Sequence, residues 1–372
     1  MCIRDSYYLS LLSHWFGPLN VFQYVTFRTV GAALTSFLFC LWIGPRVIDA
    51  LHRLKLGQPL RRKEEVHKLA DLHESKKGTP TMGGVLILFS LTLACILWAR
   101  PTNPFLWLAL GSTLALGTLG FCDDYAKVRK KSSGGLSGRK KLLAQGVVAA
   151  GVAGVLMLNP QTREAALKLQ IPFVREEFFL MHLPVWAAIL FFVFIIVGSS
   201  NAVNLTDGLD GLASGCILTV ALVLGIFAYL SSHAKLASYL FLPRVPGGEE
   251  LVIFCAALFG AALGFLWFNC HPAKVFMGDT GSLALGGAVA VVAICINQEM
   301  LLAIIGGVFV MEAVSVILQV LSFKLTGRRI FAMSPIHHHF ELRGWSETAV
   351  VTRFWILSAV FALAGLASLK LR

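Results

Sequence analysis

The chain has 372 residues, of which 56% are hydrophobic and only 14% are charged. This composition is too apolar for a soluble domain of that length. The formal net charge of +12 is typical of nucleic-acid-binding proteins, but the positions of the cations along the chain argue against that class.

Apolar runs of about 20 residues recur along the chain and are typical of membrane-spanning helices. Lipid-facing backbone must satisfy its own hydrogen bonds, and the alternation of a membrane barrel is missing, so helices are predicted. We predict an all-α integral membrane protein with a single domain, divided into an external N-terminal segment (1–21) and a ten-helix domain (22–372). The approximate centres of the ten spans are Leu38, Leu88, Leu110, Val152, Phe191, Val220, Leu258, Ala290, Val310 and Ala359.

The lysines and arginines are concentrated in the loops that follow the odd-numbered spans, above all around residues 53–77 and 127–141. The positive-inside rule therefore places these loops in the cytoplasm and both termini outside. Most of these cations are expected only to fix the topology and to contact anionic headgroups. No nucleic-acid partner is expected.

The second span opens with a segment that contains Lys76, Gly78 and Thr81. It is not a Walker motif, in which the lysine follows the glycine run. A lysine and hydroxyl groups beside glycines can nevertheless contact phosphates, which makes Lys76 and Thr81 candidate substrate-binding residues.

Two adjacent carboxylates, Asp123 and Asp124, follow the third span at its cytoplasmic end. Carboxylates at a membrane edge are costly unless they bind a cation or face a wet cavity. The pair is suited to Mg²⁺, which favours carboxylate and phosphate oxygens, and also to a role as base or nucleophile. The alternative is a solvated helix end.

The longest external connection lies at about residues 161–183. Its residues 168–174 alternate between polar and apolar, which predicts a short strand in a hairpin.

Four polar residues with a spacing of three join the fifth and sixth spans: Asn201, Asn204, Asp207 and Asp210. On a helical turn this spacing stacks amides and carboxylates on one face. Such a face can bind the hydroxyls and ring edges of a nucleotide, or a hydrated metal ion. The alternative is a capped turn.

A single carboxylate, Asp279, lies between Gly278 and Gly281 just before the eighth span. The glycines permit close approach of a backbone or ligand, as a ligand of a hard cation near a pyrophosphate requires. Phe276 is suited to stack on a base. Alternatively, the segment only caps the following helix.

Three consecutive histidines, His337, His338 and His339, lie between the ninth and tenth spans. They cannot all face one metal from a regular helix or strand, so a zinc site is not expected. Donors to phosphate oxygens, or one acid with two structural partners, fit better, and a solvated run is the alternative. Glu312, inside the ninth span, is either functional or a buried hydrogen-bonding group.

Four of these groups are predicted at one face of the membrane: Asp123 with Asp124, residues 204–210, residues 276–279 and the three histidines. Carboxylates and imidazoles gathered at one lipid–water boundary suggest an enzyme that joins a water-soluble substrate to a lipid.

The motifs together resemble the phospho-N-acetylmuramoyl-pentapeptide transferases, a family of polyprenyl-phosphate N-acetylhexosamine-1-phosphate transferases. The resemblance runs from about residue 22 to the C-terminus. The matching segments are residues 78–84, 121–125, 201–211, 265–269, 275–285 and 335–339.

This resemblance implies a Mg²⁺-dependent homodimer of the bacterial inner membrane, with its active site facing the cytoplasm. The implied reaction moves phospho-MurNAc-pentapeptide from UDP-MurNAc-pentapeptide to undecaprenyl phosphate and yields lipid I and UMP, in peptidoglycan synthesis. Asp279 is implied as the metal ligand, with Asp123 and Asp124 as an essential pair beside it. The other implied site residues are Asn204, Asp207, Asp210, Asn269 and Phe276 around the uridine, Lys76 and Thr81 near the phosphates, and His337, His338 and His339 in a catalytic loop; Asn201 is a further candidate for substrate binding.

Three other functions are weighed against this one. A sister enzyme would transfer a HexNAc-1-phosphate from UDP-GlcNAc, but the histidine run favours the muramoyl enzyme. An ion-coupled transporter usually places its carboxylates near mid-bilayer in inverted repeats, which this chain does not show. A non-catalytic lipid-binding scaffold would not need intact motifs at every site.

Overall fold

A computed structural model describes residues 17–54, 78–130, 134–174 and 181–371 of the chain. The described chain is a bundle of α-helices preceded by a short 3-10 helix, Gly17–Gln23. The helices are α1 (Val25–Arg53), α2 (Gly84–Trp98), α3 (Pro104–Lys130), α4 (Gly138–Leu158), α5 (Pro160–Ala166), α6 (Val185–Thr206), α7 (Leu212–Ser232), α8 (Ala234–Tyr239), α9 (Glu249–Asn269), α10 (Gly278–Cys295), α11 (Glu299–Ile305), α12 (Gly307–Thr326), α13 (Ile336–Leu342) and α14 (Glu347–Ala367).

The predicted all-α membrane architecture is confirmed, and every predicted span centre lies in a helix. Within the described ranges, nine helices are long and apolar enough to cross a membrane. The second span is the exception, because α2 has only 15 residues. The chain just before it is not helical: Gly83 N donates to Phe276 O and Gly84 N to Met277 O. The division of the chain at residue 22 stays a prediction.

The connections between spans carry small elements. The predicted hairpin is confirmed as two short antiparallel strands, β1 (Lys168–Leu169) and β2 (Met181–His182). The eighth and ninth spans, α10 and α12, are joined by the short helix α11.

Helix α10 is the centre of the bundle and packs against α2, α3 and α6. Its sequence is rich in glycine and alanine, and small residues let neighbouring helices approach closely. A β-carbon at Gly120 of α3 would overlap the carbonyl group of Asp279. The first turn of α10 is therefore held directly against the cytoplasmic end of α3.

The outer surface of the bundle is apolar. Large hydrophobic side chains are exposed on peripheral helices, for example Trp42 of α1, Phe194 of α6 and Leu321 of α12. Such a surface is stable in contact with lipid rather than water. The chain is a multi-pass membrane protein.

Candidate active site

Three carboxylates from two helices converge at one end of the bundle. Asp123 and Asp124 lie in α3, and Asp279 is the second residue of α10. One oxygen from each of the three groups lies within 4.8 Å of the others. Asp123 and Asp124 are buried, whereas Asp279 is partly exposed. The structure thus brings together residues that are about 155 positions apart in the chain.

The first residues of α10 anchor Asp124. Its Oδ2 accepts hydrogen bonds from Thr280 N at 2.9 Å and Thr280 Oγ1 at 2.8 Å. Gly278 has a φ of +71°, and a β-carbon there would lie 2.6 Å from Asp124 Oδ2 and 2.8 Å from Thr81 Oγ1. Both the backbone angle and the lack of space favour a glycine at this position.

Two lysines face the carboxylates. Lys127 Nζ lies 2.7 Å from Asp123 Oδ2 and 3.0 Å from Asp279 Oδ2. Lys141 Nζ, from α4, lies 2.5 Å from Asp279 Oδ2. Three carboxylates against two ammonium groups leave one negative charge in excess. This group of five residues is the carboxylate cluster.

From the sequence, Lys127 and Lys141 are expected only to fix the topology. Lys127 follows Asp123 by four residues, which places the two side chains on one face of a helix, so local spacing could have identified it. Lys141 carries no local signal, because it comes from another helix.

Asn204 also joins this cluster, since its Nδ2 donates to Asp279 Oδ1 at 2.8 Å and to Ser282 Oγ at 2.7 Å. Asn201, one turn earlier on α6, instead donates to Gln145 Oε1 of α4 at 2.9 Å. The predicted face of four polar residues therefore has two different sets of partners.

Asp210 belongs to a second polar group, together with His271 and Glu347. Its Oδ2 lies 3.3 Å from His271 Nδ1, and its backbone N donates to Glu347 Oε1 at 2.8 Å. His271 and Glu347 were not identified from the sequence.

Asp207 lies between the carboxylate cluster and this second polar group. Its pKa is raised well above the usual value of an aspartate by burial and by nearby negative charges, of which Asp279 is the foremost.

Asn269 uses its side chain inside the protein. Its Oδ1 accepts from Gly211 N at 3.1 Å and Ser214 Oγ at 3.0 Å, and its Nδ2 donates to Val275 O at 2.9 Å. Asn269 thus ties the start of α7 to the loop before α10. This contact places Asn269 beside the loop that carries Phe276 and leads into α10.

The segment before α2 contributes the last predicted residues. Thr81 is buried beside Gly278, as described above. Phe276 is half-buried, and its backbone N donates to Pro80 O at 2.8 Å. Lys76 lies outside the described residues.

The three histidines lie on the short helix α13, and each has a different neighbour. His337 Nδ1 is 3.1 Å from Glu312 Oε2, and His338 Nδ1 is 2.7 Å from Glu341 Oε2. His339 Nδ1 accepts from Ala332 N at 3.0 Å. The three rings therefore do not face one metal.

The carboxylate cluster has the donors that a hard divalent cation requires. Its oxygens come from three carboxylates on two rigid helices, and no sulfur or imidazole lies among them. Mg²⁺ favours such oxygens together with those of a phosphate. Asp123, Asp124 and Asp279 are thus able to hold a metal ion.

The chain is similar to known proteins over almost its whole length. Residues 106–297 match the model of glycosyl transferase family 4, and residues 76–88 match the phospho-N-acetylmuramoyl-pentapeptide-transferase signature 1. A protein named phospho-N-acetylmuramoyl-pentapeptide-transferase from Methylacidiphilum infernorum is 58% identical, over 98% of this chain and 100% of that protein. Proteins of the same name are 52% identical in Desulfotalea psychrophila, over 96% of this chain and 97% of theirs, and 50% identical in Rhodopseudomonas palustris, over 95% and 96%.

Proposed function

Because the chain belongs to the family of phospho-N-acetylmuramoyl-pentapeptide transferases, we propose that it transfers phospho-MurNAc-pentapeptide from UDP-MurNAc-pentapeptide to undecaprenyl phosphate, which yields lipid I and UMP. The observation that carries this proposal is the convergence of Asp123, Asp124 and Asp279 with two lysines at one end of a membrane bundle.

Charge neutralisation is the main task of such a site, because an anionic lipid phosphate must approach an anionic pyrophosphate. Lys127 and Lys141 supply two positive charges at the carboxylates. We propose that Asp279 binds Mg²⁺, with Asp123 and Asp124 organising the site. Bound there, the ion would stabilise the charge on the phosphate oxygens.

In the proposed reaction, an oxygen of the lipid phosphate forms a bond to the phosphorus that carries MurNAc. The bond from that phosphorus to the bridging oxygen breaks, and UMP leaves. A phosphate monoester has a second pKa of about 6, so the lipid phosphate is mostly dianionic at pH 7 and gains little from a general base. The alternative is a two-step route through an aspartyl phosphate on Asp123 or Asp124, for which ping-pong kinetics would be evidence.

We assign the other polar residues by their place around the cluster. Asn204 and Asp207 are proposed to contact the uridine end of the substrate, with Phe276 stacking on the base. Asp210 and Asn269 are proposed to line the same uridine pocket, and Asn201 is a further candidate for substrate binding. Lys76 and Thr81 are proposed to lie near the phosphates, and His337, His338 and His339 to form a catalytic helix beside them.

We also propose that the cluster faces the cytoplasm of a bacterium, with both termini outside and the protein working as a homodimer. The positive-inside rule supports this orientation, since Lys127, Lys141 and their neighbours lie at the same end of the bundle as the cluster. Soluble UDP-MurNAc-pentapeptide would then reach the site from the cytoplasm and undecaprenyl phosphate from the membrane.

The test uses the full chain, purified in detergent, with undecaprenyl phosphate and UDP-MurNAc-pentapeptide. We expect lipid I and UMP in equal amounts, loss of both after treatment with EDTA, and recovery when Mg²⁺ is added. Parallel reactions with UDP-GlcNAc should release little UMP. Faster turnover of UDP-GlcNAc would favour the sister enzyme, and substrate flux into proteoliposomes without UMP release would favour a transporter.

A further inference from the structure

A carboxylate and an imidazole form a closed pair inside the bundle. Glu312 lies in α12 and His337 in α13, and both side chains have a relative exposure of 0%. Glu312 Oε2 is 3.1 Å from His337 Nδ1. A carboxylate in a membrane-spanning helix is rare and costly, so such a residue usually has a function and a partner.

The pair has no competing partners within the part of the chain that the structure describes. Neither oxygen of Glu312 and neither ring nitrogen of His337 hydrogen-bonds to a described group, so the 3.1 Å approach of Oε2 to Nδ1 is the polar contact of the pair. A buried charge without a partner is strongly unfavourable. Each residue of the pair therefore supplies the main polar contact of the other.

The second nitrogen of His337 faces the proposed substrate-binding turn. A β-carbon at Gly208 would overlap His337 Nε2. Gly208 directly follows Asp207 and lies between it and Asp210. The imidazole is thus held between the carboxylate of α12 on one side and the backbone of residues 207–210 on the other.

We propose that Glu312 is a positioning residue for the transfer reaction and that it acts through His337. An imidazole bound through one nitrogen has its tautomer and orientation fixed by that contact. The Nδ1 side of the His337 ring faces Glu312, and the Nε2 side faces Gly208. Glu312 thereby fixes the orientation of the His337 ring. Because that ring lies against Gly208, Glu312 also fixes the position of the turn that carries Asp207. This inference rests on the proposed function.

The experiment compares Glu312→Ala, Glu312→Gln and Glu312→Asp in the lipid I assay, with kcat and KM determined separately. We expect Glu312→Ala to lower kcat/KM about 100-fold, the size of a small misplacement of reacting groups. Glutamine keeps an acceptor oxygen at the same reach and should restore activity to within about 10-fold of the original chain. Aspartate keeps the charge but is shorter, and should not restore it.

The second arm is a double-mutant cycle with His337→Ala. If Glu312 acts through His337, Glu312→Ala should have almost no further effect in the His337→Ala background. Ser315→Ala is the matched control, because Ser315 is buried one turn further along α12 and its Oγ donates to the backbone oxygen of Glu312 at 2.7 Å and not to the Glu312 side chain. It should leave both kinetic constants near those of the original chain.

The outcomes separate the two proposals. Independent, multiplicative losses from Glu312→Ala and His337→Ala would overturn the positioning role, as would better rescue by aspartate than by glutamine. If Glu312→Ala does not fold, as judged by size-exclusion chromatography, the comparison of Gln with Asp still decides. An unsubstituted chain that makes no lipid I would overturn the proposed function itself.

Discussion

Buried charges lie at both ends of the helix bundle, and the two groups are built differently. At the end opposite the carboxylate cluster, Arg28 and Glu250 form a two-pronged ion pair at 2.9 and 3.1 Å. Glu250 also accepts from Arg100 N at 2.8 Å, and Arg28 donates to Trp98 O at 3.2 Å. In the carboxylate cluster, three carboxylates share two lysines.

The difference concerns both charge balance and access. Arg28 and Glu250 have side-chain exposures of 1% and 0%, and the two arginines of that group face an equal number of glutamates, Glu249 and Glu250. In the cluster, Lys127 is 25% and Asp279 14% exposed. A balanced and closed group joins helices, whereas an open group with excess carboxylates can accept a cation or exchange partners with a substrate.

The largest expected effect is a loss of activity on changing the carboxylate cluster. Asp279→Asn keeps the size of the side chain but removes one charged ligand, and we expect turnover to fall by about 10³-fold or more. Lipid I formation measures the loss, and thermal unfolding should show an intact protein. Glu164→Gln, at an exposed carboxylate on α5, is the matched control and should be fully active. Near-normal turnover of Asp279→Asn would refute the metal assignment.

The next largest effect is a loss of stability on changing the group around Arg28 and Glu250. Glu250→Gln removes the carboxylate that pairs with the buried Arg28 and with Arg100. Breaking a buried ion pair costs about 3–5 kcal/mol of folding free energy. We expect a clear fall in Tm in detergent, while kcat of the folded fraction stays unchanged. A loss of kcat without a fall in Tm would show that the two ends are not separate in function.

A smaller effect is expected from the charge of the cluster. Lys127→Met removes the ammonium group that contacts all three carboxylates. The remaining negative charges should repel the substrate phosphates, which lowers kcat/KM by about 100-fold. Lys130→Met removes an exposed lysine from the same helix and should have little effect. Equal losses from both variants would point to bulk charge rather than to the cluster.

The smallest effect comes from the backbone of the cluster. Gly278→Ala introduces a side chain at a φ of +71° and against Asp124, at a cost of about 1–2 kcal/mol in backbone conformation alone. We expect about a 10-fold loss of turnover with a small fall in Tm. At Gly111, in contrast, a β-carbon meets nothing within 4 Å. A Gly111→Ala variant as impaired as Gly278→Ala would show that the close packing at Gly278 is unimportant.

Much of the candidate site could be predicted from single motifs. Asp123, Asp124 and Asp279 each stood out because a carboxylate between apolar runs has an evident cost. The partners of the histidines could not be predicted in the same way. Glu312 was noted as an intramembrane carboxylate, but nothing in its neighbourhood identified His337 as its partner.

Local sequence was also insufficient where tertiary contacts decide the local structure. The second apolar run predicted a full spanning helix, yet only 15 residues are helical, because the preceding backbone bonds to Phe276 and Met277. Asn201 and Asn204 have the same side chain and the same helical face, but one meets Gln145 and the other Asp279.

The sequence by itself determined the membrane class, the helices and the places where polar groups interrupt them, because the transfer of an apolar run into lipid depends on the composition of that run. Only the tertiary structure decided which of those groups meet. Lys141, Asp279 and Asp123 come from three helices, and their contacts depend on how closely the glycines of α3 and α10 let the backbones approach. Such packing is a property of pairs of distant segments, which no local pattern contains.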